Sequence, residues 1–155
     1  MTNYLIIFLA SFLIWIMYLG IFLLWVIDGR IKKEVALHAL VASVIAWVVA
    51  EMIKSLFPSL RPFAINGYSA LVVWLPMDGS FPSGHTASAF ALALTVWLHN
   101  KKWGWFYVIC ALLVGTARVI GNVHFPLDIA GGIVIGVITA FVVEKLHLYK
   151  LISRA

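Results

Sequence analysis

The sequence predicts an all-α fold, a polytopic transmembrane helical bundle of five spans (six at most) with a short interfacial segment. Three observations predict it. The 155 residues are 64% apolar and only 11% charged, against roughly 45–50% and about 25% in soluble domains. The apolar residues run in long stretches free of charge, most of them near the ~20 residues that cross a bilayer. The basic residues sort to one set of stretch ends. Such a chain cannot make the polar shell of a soluble enzyme, and its composition excludes a disordered chain, a coiled coil and a collagen-like fibre. Cys110, the single cysteine, lies inside an apolar run, so no intrachain disulfide forms.

Tyr4 to Ile27 is the first expected span, without a charge. It lacks the basic start and small-residue cleavage site of a signal peptide, and its apolar run is too long for one. Asp28-Gly29-Arg30 closes it, with Lys32 and Lys33 following. Val35 to Phe57 is the second, carrying Glu51 and Lys54 near its far end and closed by Pro58 and Pro62. Phe63 to Leu75 is too short to cross and contains Asn66-Gly67, so it reads as an interfacial or re-entrant segment. His85 to Leu98 is a third apolar helix, about 21 Å long at 1.5 Å per residue. That is short for a span, which suits a helix lying under a recessed site. Trp103 to Ile120 is the fourth and Leu127 to Leu146 the fifth. Gly132 and Gly136, and Ala111 and Gly115, are small residues four apart that let membrane helices approach closely; packing is the role expected of them. Short linkers, with no repeat or low-complexity tract, predict a single transmembrane domain over residues 1–155.

The net charge of +5 divides on this frame. Arg30, Lys32, Lys33, Lys101, Lys102, Lys145, Lys150 and Arg154 fall on one side, which the positive-inside tendency makes cytoplasmic. The N-terminus is then outside, the C-terminus inside, and no nucleic-acid partner is implied. Lys54, Arg61 and Arg118 break the rule at the outer ends of spans or in the outer loops. Single cations at helix ends commonly snorkel. Three that share one face with two His and an Asp point to a site, because ionisable groups at membrane depth are costly.

That face carries Lys54 to Pro62, Phe81-Pro82-Ser83-Gly84-His85-Thr86, and Arg118 to Asp128. Pro-Ser-Gly-His before an apolar helix also reads as an ordinary N-cap, and a lone loop His is usually a bystander. Together the residues point to phosphate. Arg offers a planar fork of donors and Lys a point charge. The free N–H groups where Pro82-Ser83-Gly84 enters the third helix favour an anion, and Gly84 lets oxygens approach the backbone. His85 and His124 can exchange protons near neutral pH. Asp128, four residues after His124, can fix one imidazole nitrogen and sharpen the other as a nucleophile. A His85–His124–Asp128 zinc site is the rival chemistry. Three surrounding cations disfavour a dication there, so no metal or other cofactor is expected.

These segments resemble the signatures of the type 2 phosphatidic acid phosphatase superfamily. Its first motif, Lys, six residues, Arg-Pro, is matched by Lys54 to Pro62, and its second, Pro-Ser-Gly-His, by Pro82 to His85. Its third is Ser-Arg, five residues, His, three residues, Asp. Arg118, His124 and Asp128 match it, and Ala117 stands in place of the Ser. The motif core covers residues 54–128, about half the chain, and many members have six spans. The resemblance implies a membrane lipid phosphatase in which His124 is the nucleophile and forms a phosphohistidine, Asp128 orients it, and His85 protonates the leaving oxygen. Lys54, Arg61, Ser83, Gly84 and Arg118 would hold the phosphoryl oxygens, without a metal.

The expected substrate is a lipid phosphate or diphosphate, reached from the bilayer of a bacterial inner membrane, with the site on the periplasmic face. Undecaprenyl diphosphate comes first, because its bare diphosphate head lies at that depth. Phosphatidylglycerol phosphate, phosphatidic acid and lipid A 1-phosphate follow. A lipid phosphotransferase with an isoprenyl diphosphate donor, or a non-catalytic lipid-binding or transport protein, are the alternatives. Tyr68, Leu71, Val72, Val73 and Trp74 read as interfacial anchors, with a lip over the lipid path as the other reading. Glu51 reads as the ion-pair partner of Lys54. His38, His99 and His147 lie toward the cytoplasmic side and receive no catalytic role.

Overall fold

The computed structural model describes residues 2–26 and 30–146; among the expected cytoplasmic cations, Lys150 and Arg154 lie outside the described residues, as do Asp28, Gly29 and His147. Among the described residues all regular structure is helical: α1 (Thr2–Ser11), α2 (Leu13–Val26), α3 (Arg30–Leu56), α4 (Pro62–Asn66), α5 (Gly84–His99), α6 (Lys101–Ile120) and α7 (Pro126–Leu146).

The first expected span is not one straight helix. α1 and α2 meet at a 45° bend around Phe12. The bend falls where outside groups bind this turn: Ser11 Oγ accepts from the Val73 N–H at 3.1 Å, and the Ala10 carbonyl accepts from Arg118 Nη1 at 3.3 Å. Groups that tap a helix's own ladder are a recognised cause of kinks. Nothing in an all-apolar run announces such a partner.

α3 is 27 residues, about 40 Å long. It turns a row of fully buried alanines (Ala36, Ala39, Ala42, Ala46 and Ala50) toward α5 and α7. Without a hydrophobic drive between helices in lipid, small side chains let backbones close to van der Waals distance. α5 is the centre of the bundle, buried on nearly every side by α3, α6 and α7. Its packing on α7 rests on the two glycines expected to serve it. A Cβ at Gly132 would lie 2.7 Å from the Ser83 carbonyl oxygen, and one at Gly136 would strike the Ala87 carbonyl. Gly115 likewise lets α6 meet Ile129 of α7. Buried hydroxyls close onto carbonyls, Ser88 Oγ donating to Ser43 O at 3.2 Å and Thr95 Oγ1 to Ala91 O at 2.9 Å, as buried polar groups require.

The outer surface is the reverse of a soluble protein's, with Trp15, Phe22, Trp47, Phe106, Ile138 and Phe141 all exposed. The protein is an integral membrane protein. Among the described residues three helices, α3, α6 and α7, are long and apolar enough to cross a bilayer, and the bent α1–α2 pair would make four. α5, at 16 residues, falls short of that length, so by length and composition three of the five expected spans are supported, four with the bent pair. Its shortness leaves room above its first turn, and there the segments carrying the motif residues meet.

Candidate active site

The site is assembled at one end of the bundle, from the last turn of α3, the segment 57–83, the first turn of α5, the end of α6 and the 121–125 turn into α7. α4 begins at Pro62, whose missing N–H costs nothing at a first helical position, so Arg61 becomes its N-cap in extended conformation. Gly67 ends α4 at φ 72°, the left-handed region that glycine enters freely. This stretch is stapled to the 121–125 turn. Asn66 and Asn122 exchange side-chain hydrogen bonds at 2.8 and 3.1 Å, Phe63 N–H donates to Asn122 O at 3.2 Å, and Leu71 N–H donates to Gly121 O at 2.8 Å. Asn122 itself holds φ 60°, a conformation asparagine tolerates better than most residues.

The two stapled segments bring Arg61 against His124. Arg61 Nη1 lies 3.2 Å from His124 Nε2 and donates to Val123 O at 2.9 Å. On the other side His124 Nδ1 lies 3.3 Å from Asp128 Oδ2. A guanidinium can only donate and a carboxylate only accept. His124 is therefore neutral, with its hydrogen on Nδ1 and its lone pair on Nε2. Asp128 is fixed in turn: Oδ2 accepts from Ser80 Oγ at 2.5 Å and from the Phe125 N–H at 2.8 Å. The four-residue step from His124 to Asp128, turning from loop into helix, is what lets the carboxylate reach Nδ1. Burial, joined by the charges of Arg118 and Arg61, pushes the His124 imidazole down to about 4 against the hydrogen bond it donates to Asp128.

The remaining cations surround this pair. Lys54 is buried between two carboxylates, Glu51 Oε1 at 2.7 Å and Asp78 Oδ2 at 2.8 Å; the Glu51 pairing is the one expected from the sequence. Asp78 bridges to Arg61, accepting from Nη2 at 2.8 Å on its side chain and from Nε at 3.0 Å on its carbonyl. Partial burial would raise its carboxyl, but the hydrogen bond and charge of Lys54, with those of Arg61, hold it down to about 2. Arg118 is buried, its charge acts on His124, and its Nε is the one buried side-chain N or O without a partner among the described residues. An unpaired guanidinium N–H is expensive to bury, and an arriving anion would satisfy it.

Ser83 Oγ is engaged as the N-cap of α5, accepting from Thr86 N at 3.4 Å and Thr86 Oγ1 at 3.0 Å, while its own N–H donates to Asp128 O at 3.0 Å. Gly84 passes close under α3, where a Cβ would sit 3.0 Å from Glu51 Oε1. His85 is half-buried and faces a cavity of about 280 Å³ that opens between α2, α3 and α5, with Ile14, Trp15, Tyr18 and Trp47 for walls.

The sequence profile of the PAP2 superfamily matches residues 35–152, most of the chain and all three motif segments. The chain belongs to the PAP2 superfamily. A bacitracin transport permease protein of Bacillus licheniformis, BcrC, is 32% identical over 99% of this chain and 81% of its own length. A putative undecaprenyl-diphosphatase of Escherichia coli, YbjG, is 31% identical over 96% of this chain and 76% of its own. Among solved structures, Aquifex aeolicus LpxE superposes with a TM-score of 0.75 at 26% identity, over 93% of this chain and 84% of that one. The protein is a PAP2 lipid phosphatase, a hydrolase of phosphoric esters.

Within this PAP2 protein, sequence reasoning missed Asp78 and Ser80. Both sit in a Met-Asp-Gly-Ser turn with no periodicity to mark them. The usable signal was charge balance, since three cations gathered in apolar surroundings need counter-charges and Asp78 was an unassigned acid on that face. It also missed Trp15, Tyr18 and Trp47 as cavity walls. The 68–74 segment does not line that cavity. Val73 and Trp74 instead pack at the α1–α2 bend, Trp74 edge-on to Phe12 at 5.9 Å.

Proposed function

We propose that this PAP2 phosphatase hydrolyses an isoprenyl diphosphate, undecaprenyl diphosphate first among lipids, through a phosphohistidine on His124 and without a metal. The observation that carries it is the Arg61–His124–Asp128 chain, which holds the Nε2 lone pair outward from a neutral, oriented imidazole. Nε2 attacks phosphorus in line. The bond from phosphorus to the leaving oxygen breaks, and His85 gives that oxygen its proton. Arg61 turns its Nη1 hydrogen bond from Nε2 to a phosphoryl oxygen as phosphorus arrives. Lys54, Arg118, Ser83 and the Gly84 amide hold the equatorial oxygens. Water then attacks the phosphohistidine, His85 takes its proton, and inorganic phosphate leaves.

The apolar cavity beside His85 supports a lipid leaving group, since its walls, Ile14, Trp15, Tyr18 and Trp47, suit hydrocarbon. The names of relatives support a diphosphate-bearing isoprenoid. The positive-inside count supports a site on the extracytoplasmic face of a bacterial inner membrane, in a single domain of five spans with α5 as the short one, N-terminus out and C-terminus in.

The test is a phosphate-release panel of undecaprenyl diphosphate, phosphatidylglycerol phosphate, phosphatidic acid and lipid A, run with the native protein and His124→Ala. The expected result is preference for undecaprenyl diphosphate, a loss of at least about 10³-fold in the variant, and activity that survives EDTA. Undiminished release by His124→Ala would sink the nucleophile assignment. Loss in EDTA restored by Mg²⁺ or Zn²⁺, in the native protein and in Glu144→Gln alike, would reverse the metal assignment.

A further inference from the structure

At the end of the bundle opposite the motif residues, three helices bring together side chains that the phosphatase chemistry does not use. His38 comes from the start of α3, His99 from the last residue of α5 and Glu144 from the end of α7. His38 Nδ1 lies 3.1 Å from Glu144 Oε2, and His99 Nε2 lies 3.4 Å from Glu144 Oε1. The two rings are 6.1 Å apart at 60°, and one ligand atom from each residue falls within 4.8 Å of the others. Among the described residues this is the one such group of His, Cys, Asp and Glu.

The decisive detail is the orientation of His99. Its Nδ1 lies 3.0 Å from the Thr95 carbonyl oxygen. A carbonyl can only accept, so Nδ1 carries the hydrogen and the lone pair of the neutral ring is on Nε2. That lone pair faces a carboxylate oxygen. Two acceptors face to face at 3.4 Å repel unless a proton on Nε2 or a metal cation lies between them. A backbone carbonyl on the other ring nitrogen is also the usual support of a metal-ligating histidine.

We propose that His38, His99 and Glu144 form a binding site for a borderline transition dication, of which zinc is the best fit. Zn–N bonds of about 2.0–2.1 Å in tetrahedral geometry place neighbouring ligand atoms about 3.3–3.4 Å apart; the 3.4 Å from His99 Nε2 to Glu144 Oε1 matches this, and the 3.1 Å from His38 Nδ1 to Glu144 Oε2 is a little shorter. Two imidazoles and a carboxylate select zinc over magnesium or calcium, which take oxygen ligands. His38 offers Nδ1 in the tautomer that keeps its hydrogen on the other nitrogen. Its side chain is 1% exposed and forms the floor, while His99 at 19% and Glu144 at 32% form a mouth open to water. Lys101, two residues past His99, is turned away, its ammonium 3.0 Å over the Trp97 ring, and Lys145 directly follows Glu144. The ion would tie the ends of α3, α5 and α7 together, independently of the phosphatase reading.

The test uses the purified full-length chain in detergent, stripped with EDTA, dialysed and titrated with ZnCl₂. One zinc per chain is expected by mass spectrometry after desalting, undisplaced by a hundred-fold excess of Mg²⁺. His99→Gln and Glu144→Gln each weaken it at least ten-fold, while His124→Ala keeps it. Zinc raises the thermal midpoint of the native protein and not that of Glu144→Gln. X-ray absorption of the zinc-loaded native chain, which needs no variant to fold, is expected to show two imidazole ligands. A stoichiometry below about one-tenth, unchanged zinc in both variants, loss in His124→Ala, or fewer than two imidazoles would each overturn the site.

Discussion

Asp78 occupies the ground between Lys54 and Arg61 that a phosphoryl group would claim, giving one carboxylate oxygen to each cation. In the proposed reaction a substrate must displace it. Asp78→Asn removes the competing charge and should lower KM for a phosphate monoester by roughly two- to five-fold, the range of a half-exposed ion pair, with kcat little changed. A raised KM would mean that Asp78 positions the cations instead. His124 carries a second prediction. Its folded pKa near 4 lies below the about 6.5 of an unfolded chain. Between those values the unfolded state holds the extra proton, so stability rises with pH and is lost as pH falls from about 6.5 toward 4. The contribution of Asp78 is present above its unfolded value near 3.9 and is lost only as pH falls through about 2, outside that window. Thermal midpoints of His124→Gln should therefore gain on the native protein steadily from pH 6.5 to 4; a constant offset would refute the burial argument. At this scale the motifs were legible from the fixed spacing within each, as between His124 and Asp128, although Arg61 and Arg118 find their structural partners far along the chain. Asp78 was not, because its partners come from distant segments. The same holds for Glu144, whose histidines stand 106 and 45 residues away in sequence.

At the scale of elements, helix ends were readable and helix contacts only partly so. Ser83 was legible as an N-cap and the structure uses it, whereas Pro62, read as closing α3, also opens α4, and Asn100, which caps α6, went unread. The glycine pair on α7 announced a close contact, and α5 fills it. The buried alanines of α3 went unread, since alanine in an apolar run is as much a plain helix former as a contact. Two glycine substitutions separate packing from backbone conformation. Gly136→Val drives a side chain into the α5 backbone and should cost about 1–3 kcal/mol, read as a lowered thermal midpoint in detergent. Gly67→Ala meets nothing within 4 Å but must hold φ +72°, and should cost on the order of 1 kcal/mol. Equal tolerance of both would mean that the α5–α7 contact is slack. The bend at Phe12 was invisible because its causes, Val73 and Arg118, are more than sixty residues away.

For the whole molecule, the proposed orientation predicts which end meets the outside of the cell. Met77, 91% exposed beside the site, and Lys102, exposed at the far end, are suitable positions for introduced cysteines, since the native Cys110 is buried. A membrane-impermeant maleimide added to intact cells should label Met77→Cys and spare Lys102→Cys; the opposite pattern would turn the site inward. The polytopic character was plain from composition, yet the number of crossings was not. A 16-residue central helix and a bent N-terminal pair both depart from the one-run, one-span rule. That bend also redraws what belongs to the enzyme. The PAP2 match begins at residue 35, but Ala10 steadies Arg118, and Ile14, Trp15 and Tyr18 wall the cavity at His85. The stretch before the family's shared core is thus a working component. A chain trimmed to the family boundary would keep its motif residues and lose both the hydrogen bond that Arg118 gives Ala10 and three walls of the hollow beside His85.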